Sequence, residues 1–228
     1  MPPIEHPRAI RSFVLRQSRI TAAQQRALQT LLPRYGLDPE PGRFDFPLIF
    51  GRDAHRTLEI GFGNGATLLA LAGAHPDQDF LGIEVHRPGI GRLLLALEAE
   101  RLVNVRVVCA DALEVLTHCV PDTSLDAVLA YFPDPWPKKR HHKRRLVQPE
   151  FAALVARKLK SGGQLQLATD WPDYAAHMLA VLSASPDFVN SVASDGYAPR
   201  PTERPLTKFE HRGLKLGHAV RDLVFVKR

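Results

Sequence analysis

Cysteine is almost absent from this chain of 228 residues: Cys109 and Cys119 are the only two. They make no disulfide framework and lack the spacing of a zinc site, so both are expected to be free, buried thiols in a reducing cytoplasm, with no metal bound. Long apolar runs are missing as well. None approaches the roughly 18 residues that a bilayer-spanning helix needs, and the proline- and arginine-rich start has no signal-peptide core. The chain has no internal repeat and no low-complexity tract. Acidic residues are lacking in two places that matter later: 138–145 has none, and the first 35 residues have only Glu5.

What is present is an ordinary hydrophobic share of 45%, enough in a chain of this length for one substantial core. Lysine and arginine number 30 against 24 acids, a net +6. Six of those cations fall in 138–145, and without them the count is 24 against 24. The first 35 residues add Arg8, Arg11, Arg16, Arg19, Arg26 and Arg34, whereas 36–137 holds 15 acids against 7 basic residues. An acidic centre between basic segments suits a cationic ligand inside and a polyanion outside.

Thr21 and Gln24 form a capping box that opens a helix, with Ala27, Leu28, Leu31 and Leu32 on its inner side and Pro33 stopping it. Residues 36–53, rich in proline, glycine and aspartate, read as a linker with an aromatic patch at Phe44, Phe46 and Phe50. Strand and helix patterns then alternate. Strands are predicted at 56–60, 79–85, 105–110, 126–132 and 164–169, and helices at 66–73, 90–101, 113–119, 150–159 and 174–184, with a turn at Ser161, Gly162 and Gly163. Two last strands, 188–193 and 220–226, are separated by a proline-rich loop. The fold class that follows is doubly wound α/β, a mostly parallel Rossmann-like sheet covered on both faces, with an antiparallel strand pair at one edge.

Ligands of such sheets bind beyond the carboxyl ends of the strands. Five strands in succession deliver an acid there: Glu59 before the turn Gly61, Phe62, Gly63, Asn64, Gly65, then Glu84, Asp111, Asp134 and Asp170. Gly61, Gly63 and Ala66 satisfy a dinucleotide fingerprint, with Glu84 placed for a ribose hydroxyl, which keeps an NAD-linked oxidoreductase as a competitor. Against it, a pyrophosphate repels carboxylates such as Glu59 and Asp111. S-adenosyl-L-methionine carries a sulfonium and an ammonium group and no phosphate, and the acids favour it. No Tyr-x-x-x-Lys pair or hydride-site histidine stands at a strand end.

The most informative stretch is Phe132, Pro133, Asp134, Pro135, Trp136, Pro137, running directly into Lys138, Lys139, Arg140, His141, His142, Lys143, Arg144, Arg145. The prolines keep Asp134 out of a helix and in a stiff turn. The basic block is of the kind that grips phosphates. A rigid acid beside a phosphate grip suggests chemistry on a nucleic acid. Trp136 and Phe132 could stack on a base or pack the loop.

Taken in order, Leu58 to Gly65, Gly82 to His86, Phe132 to Trp136, Lys143 to Arg145, Ala168 to Trp171, and Thr207, Lys208, Phe209, Glu210 resemble the bacterial tRNA (guanine-N7-)-methyltransferase family, from about Arg11 to the last strand. That resemblance implies a class I SAM-dependent methyltransferase domain at 54–228 behind a basic segment, 1–53, of one helix and a linker. It implies cofactor contacts at Glu59, Glu84, Asp111 and Asp134, beside the turn glycines Gly61, Gly63 and Gly65. Substrate contacts would be Lys138, Asp170, Thr207, Lys208, Phe209 and Glu210, with Arg140, His141, His142, Lys143, Arg144 and Arg145 on the RNA. It also implies tRNA as partner, modified at a variable-loop guanine, with the protein a monomer or homodimer. Asp134 is the expected catalytic residue. Guanine N7 has an in-plane lone pair, so Asp134 is expected to accept from guanine N1–H and amino groups and to match the developing positive charge, without acting as a base. An RNA-binding module without catalysis is the remaining alternative.

Overall fold

A computed structural model of the chain describes residues 12–13, 19–39, 42, 44–194, 196–206, 210 and 219–228. The first helix, α1 (Ala22–Thr30), opens on the expected capping box of Thr21 and Gln24. Pro33 does not stop it. It occupies the second position of a separate short helix, α2 (Leu32–Tyr35), where a missing N–H costs nothing. The stretch expected to be only a linker holds α3 (Phe46–Phe50), capped by Asp45, and Gly36 bridges to Val107 at the sheet edge. Phe44 and Phe46 are buried in the core.

The expected alternation follows: β1 (Arg56–Ile60), α4 (Ala66–Ala74), β2 (Asp79–Ile83), α5 (Arg87–Ala99), β3 (Val105–Val108), α6 (Ala112–His118), β4 (Leu125–Tyr131), a 3₁₀ helix (Lys139–Arg144), α7 (Pro149–Lys158), β5 (Leu159–Thr169), α8 (Pro172–Ser183), β6 (Phe188–Asn190) and β7 (Arg221–Lys227). The turn expected at Ser161 to Gly163 lies within β5. Gly162 takes φ +79°, and the register with β4 shifts between Leu125 and Ala127, so the strand bulges without ending.

Among the described residues, one sheet joins seven strands in the order β3-β2-β1-β4-β5-β7-β6. Only β7 runs against the others, paired antiparallel to both β5 and β6. β1 and β2 are buried along their whole length, as strands covered on both faces must be. On one face pack α3, α6, α7 and α8, through residues such as Phe46, Leu116, Phe151 and Met178. On the other pack α1, α4 and α5, through Leu28, Leu68, Ile90 and Leu94. Cys119 is buried as expected, but Cys109 is exposed, because β3 ends at Val108 and the chain leaves the sheet there. The strand order reverses direction between β1 and β4, so their carboxyl ends open a crevice at the switch point.

Candidate functional site

The floor of that crevice is the glycine turn after β1. Gly61, Gly63 and Gly65 have φ of 70°, 58° and 76°, values that L side chains adopt at a cost. The turn is fastened to the end of β2 by Glu84. Its Oε2 accepts from Gly63 N at 2.7 Å, and its Oε1 accepts from Val85 N at 2.7 Å and His86 N at 2.9 Å. A carboxylate has about four lone-pair sites. Glu84 therefore shapes the turn and keeps acceptor capacity towards the crevice. Helix α5 presses on the turn from below: a Cβ at Gly89 would lie 1.9 Å from the Gly63 carbonyl oxygen, so that position admits only hydrogen.

Above the turn is a cavity of about 310 Å³ lined by Ile60, Gly61, Gly63, Ile83, Glu84, His86, Ala110, Tyr131, Phe132, Pro133 and Asp134, with Ser12 and Phe13 closing one side. Among the described residues, Glu84 and Asp134 are the acidic side chains on its wall, and no lysine or arginine lines it. Asp134 is delivered by the loop after β4. Phe132 and Trp136, either side of the Pro133, Asp134, Pro135 core, have φ of 54° and 44°. Such left-handed conformations cost non-glycine residues about 1–3 kcal/mol each and gather at functional sites.

Trp136 is engaged within the protein. Its Nε1 donates to the Ser12 carbonyl at 3.1 Å, the Arg144 guanidinium lies 5.1 Å from its ring centre, and His141 meets it edge-on at 5.8 Å. The basic run continues as the 3₁₀ helix Lys139–Arg144. Lys138, Lys139, Arg140, Lys143 and Arg144 are exposed, and His141 and His142 half-buried. The charge thus forms one accessible face beside the crevice. Burial, and then Arg140, Arg144, Lys138 and Lys143, hold the His141 imidazole below its ordinary range.

Residues 53–223 match the family described as "Putative methyltransferase". The chain is 58% identical to a tRNA (guanine-N(7)-)-methyltransferase of Ectopseudomonas mendocina over 97% of its length and 93% of that protein. It is 56% identical to the enzyme of the same name from Alcanivorax borkumensis, over 97% and 92%. The chain belongs to this family. In fold it is similar to TrmN from Thermus thermophilus (TM-score 0.54, 19% identity, 90% of this chain and 48% of that one). It is equally close to a 16S rRNA (adenine(1408)-N(1))-methyltransferase from Catenulisporales acidiphilia (TM-score 0.54, 17% identity, 84% and 92%).

Within this family member, the expected site residues separate into those the fold gathers and those it does not. Gly61, Gly63, Glu84 and Asp134 line one cavity. Gly65 caps α4 behind the turn. Asp111 turns its side chain to Leu113 N at 2.9 Å as the cap of α6, while its neighbours Ala110 and Ala112 reach the wall. Glu59 lies beneath the turn, buried, held by the Thr67 hydroxyl and Leu68 N, and its Oε2 has no hydrogen-bond partner among the described residues. Desolvation, and then the Glu84 charge, push its carboxyl up to about 8. Asp170 is half-buried just past β5, outside the cavity wall.

Two of the expected contact residues are engaged inside the protein. Arg145 was expected on the RNA, yet it is only 3% exposed. Its Nε donates to the Pro135 carbonyl at 3.0 Å, a second nitrogen pairs with Asp173, and its guanidinium covers Tyr174 at 4.9 Å. Glu210, expected on the substrate, is buried with both carboxylate oxygens on Arg204, at 2.7 and 2.9 Å. Thr207, Lys208 and Phe209 lie outside the described residues. Sequence reasoning missed Ser12 and Phe13, whose arginine-rich surroundings gave no sign that they reach the cavity, and Gly89, a glycine just inside a helix.

Proposed function

We propose that this protein methylates N7 of a guanine in the tRNA variable loop, at position 46, with S-adenosyl-L-methionine as donor, forming 7-methylguanosine. The observation that carries this reading is a switch-point cavity walled, among the described residues, by two carboxylates and by no lysine or arginine, and bordered by an exposed basic helix. The wall suits a cationic, phosphate-free cofactor, and the helix suits a polyanion. Family membership over 97% of the chain supports the same chemistry.

The cofactor supplies an electrophilic methyl group on a sulfonium. Glu84 would accept from ribose hydroxyls, and the glycine turn would let the backbone approach closely. Glu59, beneath the turn, would add negative charge as it ionises in response to the cation. Asp134 would accept from guanine N1–H and the exocyclic amino group, orienting N7 and matching the positive charge that grows on the ring. Because N7 attacks with its own lone pair, no proton has to leave before transfer. Asp134 therefore acts by position and charge. Lys138, Arg140, Lys143 and Arg144, with His141 and His142, would hold the tRNA backbone. Asp170 would stand at the substrate side of the crevice, beside the loop that carries Asp134.

The test is methylation of an unmodified tRNA transcript followed by nuclease mapping and mass spectrometry. The expected product is 7-methylguanosine at position 46, lost when that guanine is replaced. Methylation of another nucleotide, or none in the presence of bound cofactor, would overturn the reading.

A further inference from the structure

The 132–136 loop is strained at both ends, with φ of 54° at Phe132 and 44° at Trp136, and its two prolines bring no N–H donor of their own. Phe132 N donates to the Ala168 carbonyl at 2.7 Å and the Trp136 indole to that of Ser12, which leaves the Pro133 to Pro135 core to be held by side chains from elsewhere. Two buried arginines reach it from different elements. Arg145, directly after the 3₁₀ helix, bonds the Pro135 carbonyl, the residue next to Asp134, and is itself fixed by Asp173 and the Tyr174 ring of α8. Arg204, with no exposed side-chain surface, lies 5.6 Å from the Tyr131 ring centre and 5.7 Å from that of Phe132. Its fork is gripped by Glu210 at 2.7 and 2.9 Å and by Asp222 of β7 at 3.1 Å. Its Nε is 2.8 Å from Asp222 Oδ1, though out of line for a hydrogen bond. Burying such charges is costly unless each is paired. Here they are paired, and both clusters end on the same five-residue loop.

We infer that Arg145 and Arg204 are positioning residues that hold the loop in its left-handed turns and so set the aim of Asp134, and that Glu210 bears on the loop through Arg204. The inference rests on the reading of Asp134 given above. It assigns Arg145 a role opposite to that of the exposed cations beside it. The run from Lys138 grips RNA with its outer members and clamps the site with its last one. It also explains why arginine is used: a bidentate fork and a flat face over an aromatic ring are both needed, and lysine offers neither.

The test uses Arg145→Lys and Arg204→Lys, which keep the charge and lose the fork, in the full-length protein. Lys158→Met serves as control, since it breaks the ion pair of buried Lys158 with half-exposed Asp122, at the end of the sheet opposite the crevice. All three are expected to lower the melting temperature. Only the two arginine variants should lower the single-turnover methylation rate at saturating tRNA and cofactor, by about 10- to 100-fold, the usual effect of misplacing a catalytic group by an ångström. Their tRNA affinity should stay within a few-fold of wild type. Combining Arg145→Lys with Asp134→Asn should give no further loss beyond Asp134→Asn alone, because both act through one carboxylate. Multiplying losses, or wild-type single-turnover rates in folded lysine variants, would overturn the inference. A wild-type rate in Asp134→Asn would instead overturn the reading of Asp134. Should Arg204→Lys fail to fold, Glu210→Gln tests that arm: it keeps the shape, should reduce the same rate, and should add nothing to Asp134→Asn.

Discussion

Replacing Glu59 with glutamine tests how the site handles charge before any ligand arrives. Glu59 is buried, and desolvation, then the neighbouring Glu84 carboxylate, push its carboxyl from 4.5 up to about 8. Between those values the unfolded chain has lost this proton and the folded chain keeps it. The stability Glu59 contributes is thus full below about pH 4.5 and is lost as pH rises to about 8. The loss is at most about 1.4 kcal/mol per pH unit, or about 5 kcal/mol over the window. Glutamine cannot ionise, so Glu59→Gln should lack this slope. In urea unfolding followed from about pH 5 to about pH 9, the variant should gain on wild type by several kcal/mol. A cationic cofactor favours the ionised carboxylate, so its binding near neutral pH should release a fraction of a proton from wild type and none from the variant. Calorimetry in two buffers of different ionisation heat measures that fraction. Parallel stability curves for the two proteins would show Glu59 already ionised in the folded state and refute the reasoning.

Changing Arg140, Lys143 and Arg144 to glutamine together should flatten the plot of log tRNA affinity against log salt by about 2–3, with cofactor affinity unchanged; an unaltered slope would mean this face does not meet phosphates. Glu84→Ala removes the acceptor of three backbone N–H bonds as well as a ribose partner, and should weaken cofactor binding by at least about 1–3 kcal/mol in calorimetry. Gly89→Ala places a methyl group against the Gly63 carbonyl and should weaken cofactor binding by roughly 10-fold or more as the turn shifts, a cost of about 1.4 kcal/mol or more. Unchanged affinity would show that the turn yields without consequence.

The sheet was legible because β1 to β4 are short runs rich in apolar residues, each followed within three residues by glycine, proline or acid. β1 has the predicted bounds, and the edge where the acids gather follows from topology alone. The direction of each acid was less legible. Glu59 stands one residue before the end of β1, and the alternation of side chains turns it towards α4, beneath the turn. Asp111 is claimed locally as a helix cap. Arg145 looks like its neighbours in sequence. What draws it inward is Asp173 and Tyr174, on a helix after the next strand, and no local pattern contains that information. Arg204 sits in a proline-rich loop without periodicity, and only the return of β7 beside β5 brings Asp222 to it. Pro33 misled because proline ends one helix and begins another with equal ease.

The central claim is that Asp134 orients guanine and matches its charge without taking a proton. It is tested most directly by single-turnover methyl transfer in wild type and Asp134→Asn across about pH 6 to about pH 8. The substitution keeps size and one acceptor, removes the charge and sets an amine against guanine's donors. The rate should fall by about 10²-fold or more, as when a preorganised electrostatic partner is lost. Affinity for tRNA should fall far less, because phosphate contacts dominate it. The wild-type rate should be flat across this range. A wild-type rate that climbs about tenfold per pH unit, with the climb absent from Asp134→Asn, would reveal a titrating base and contradict the account.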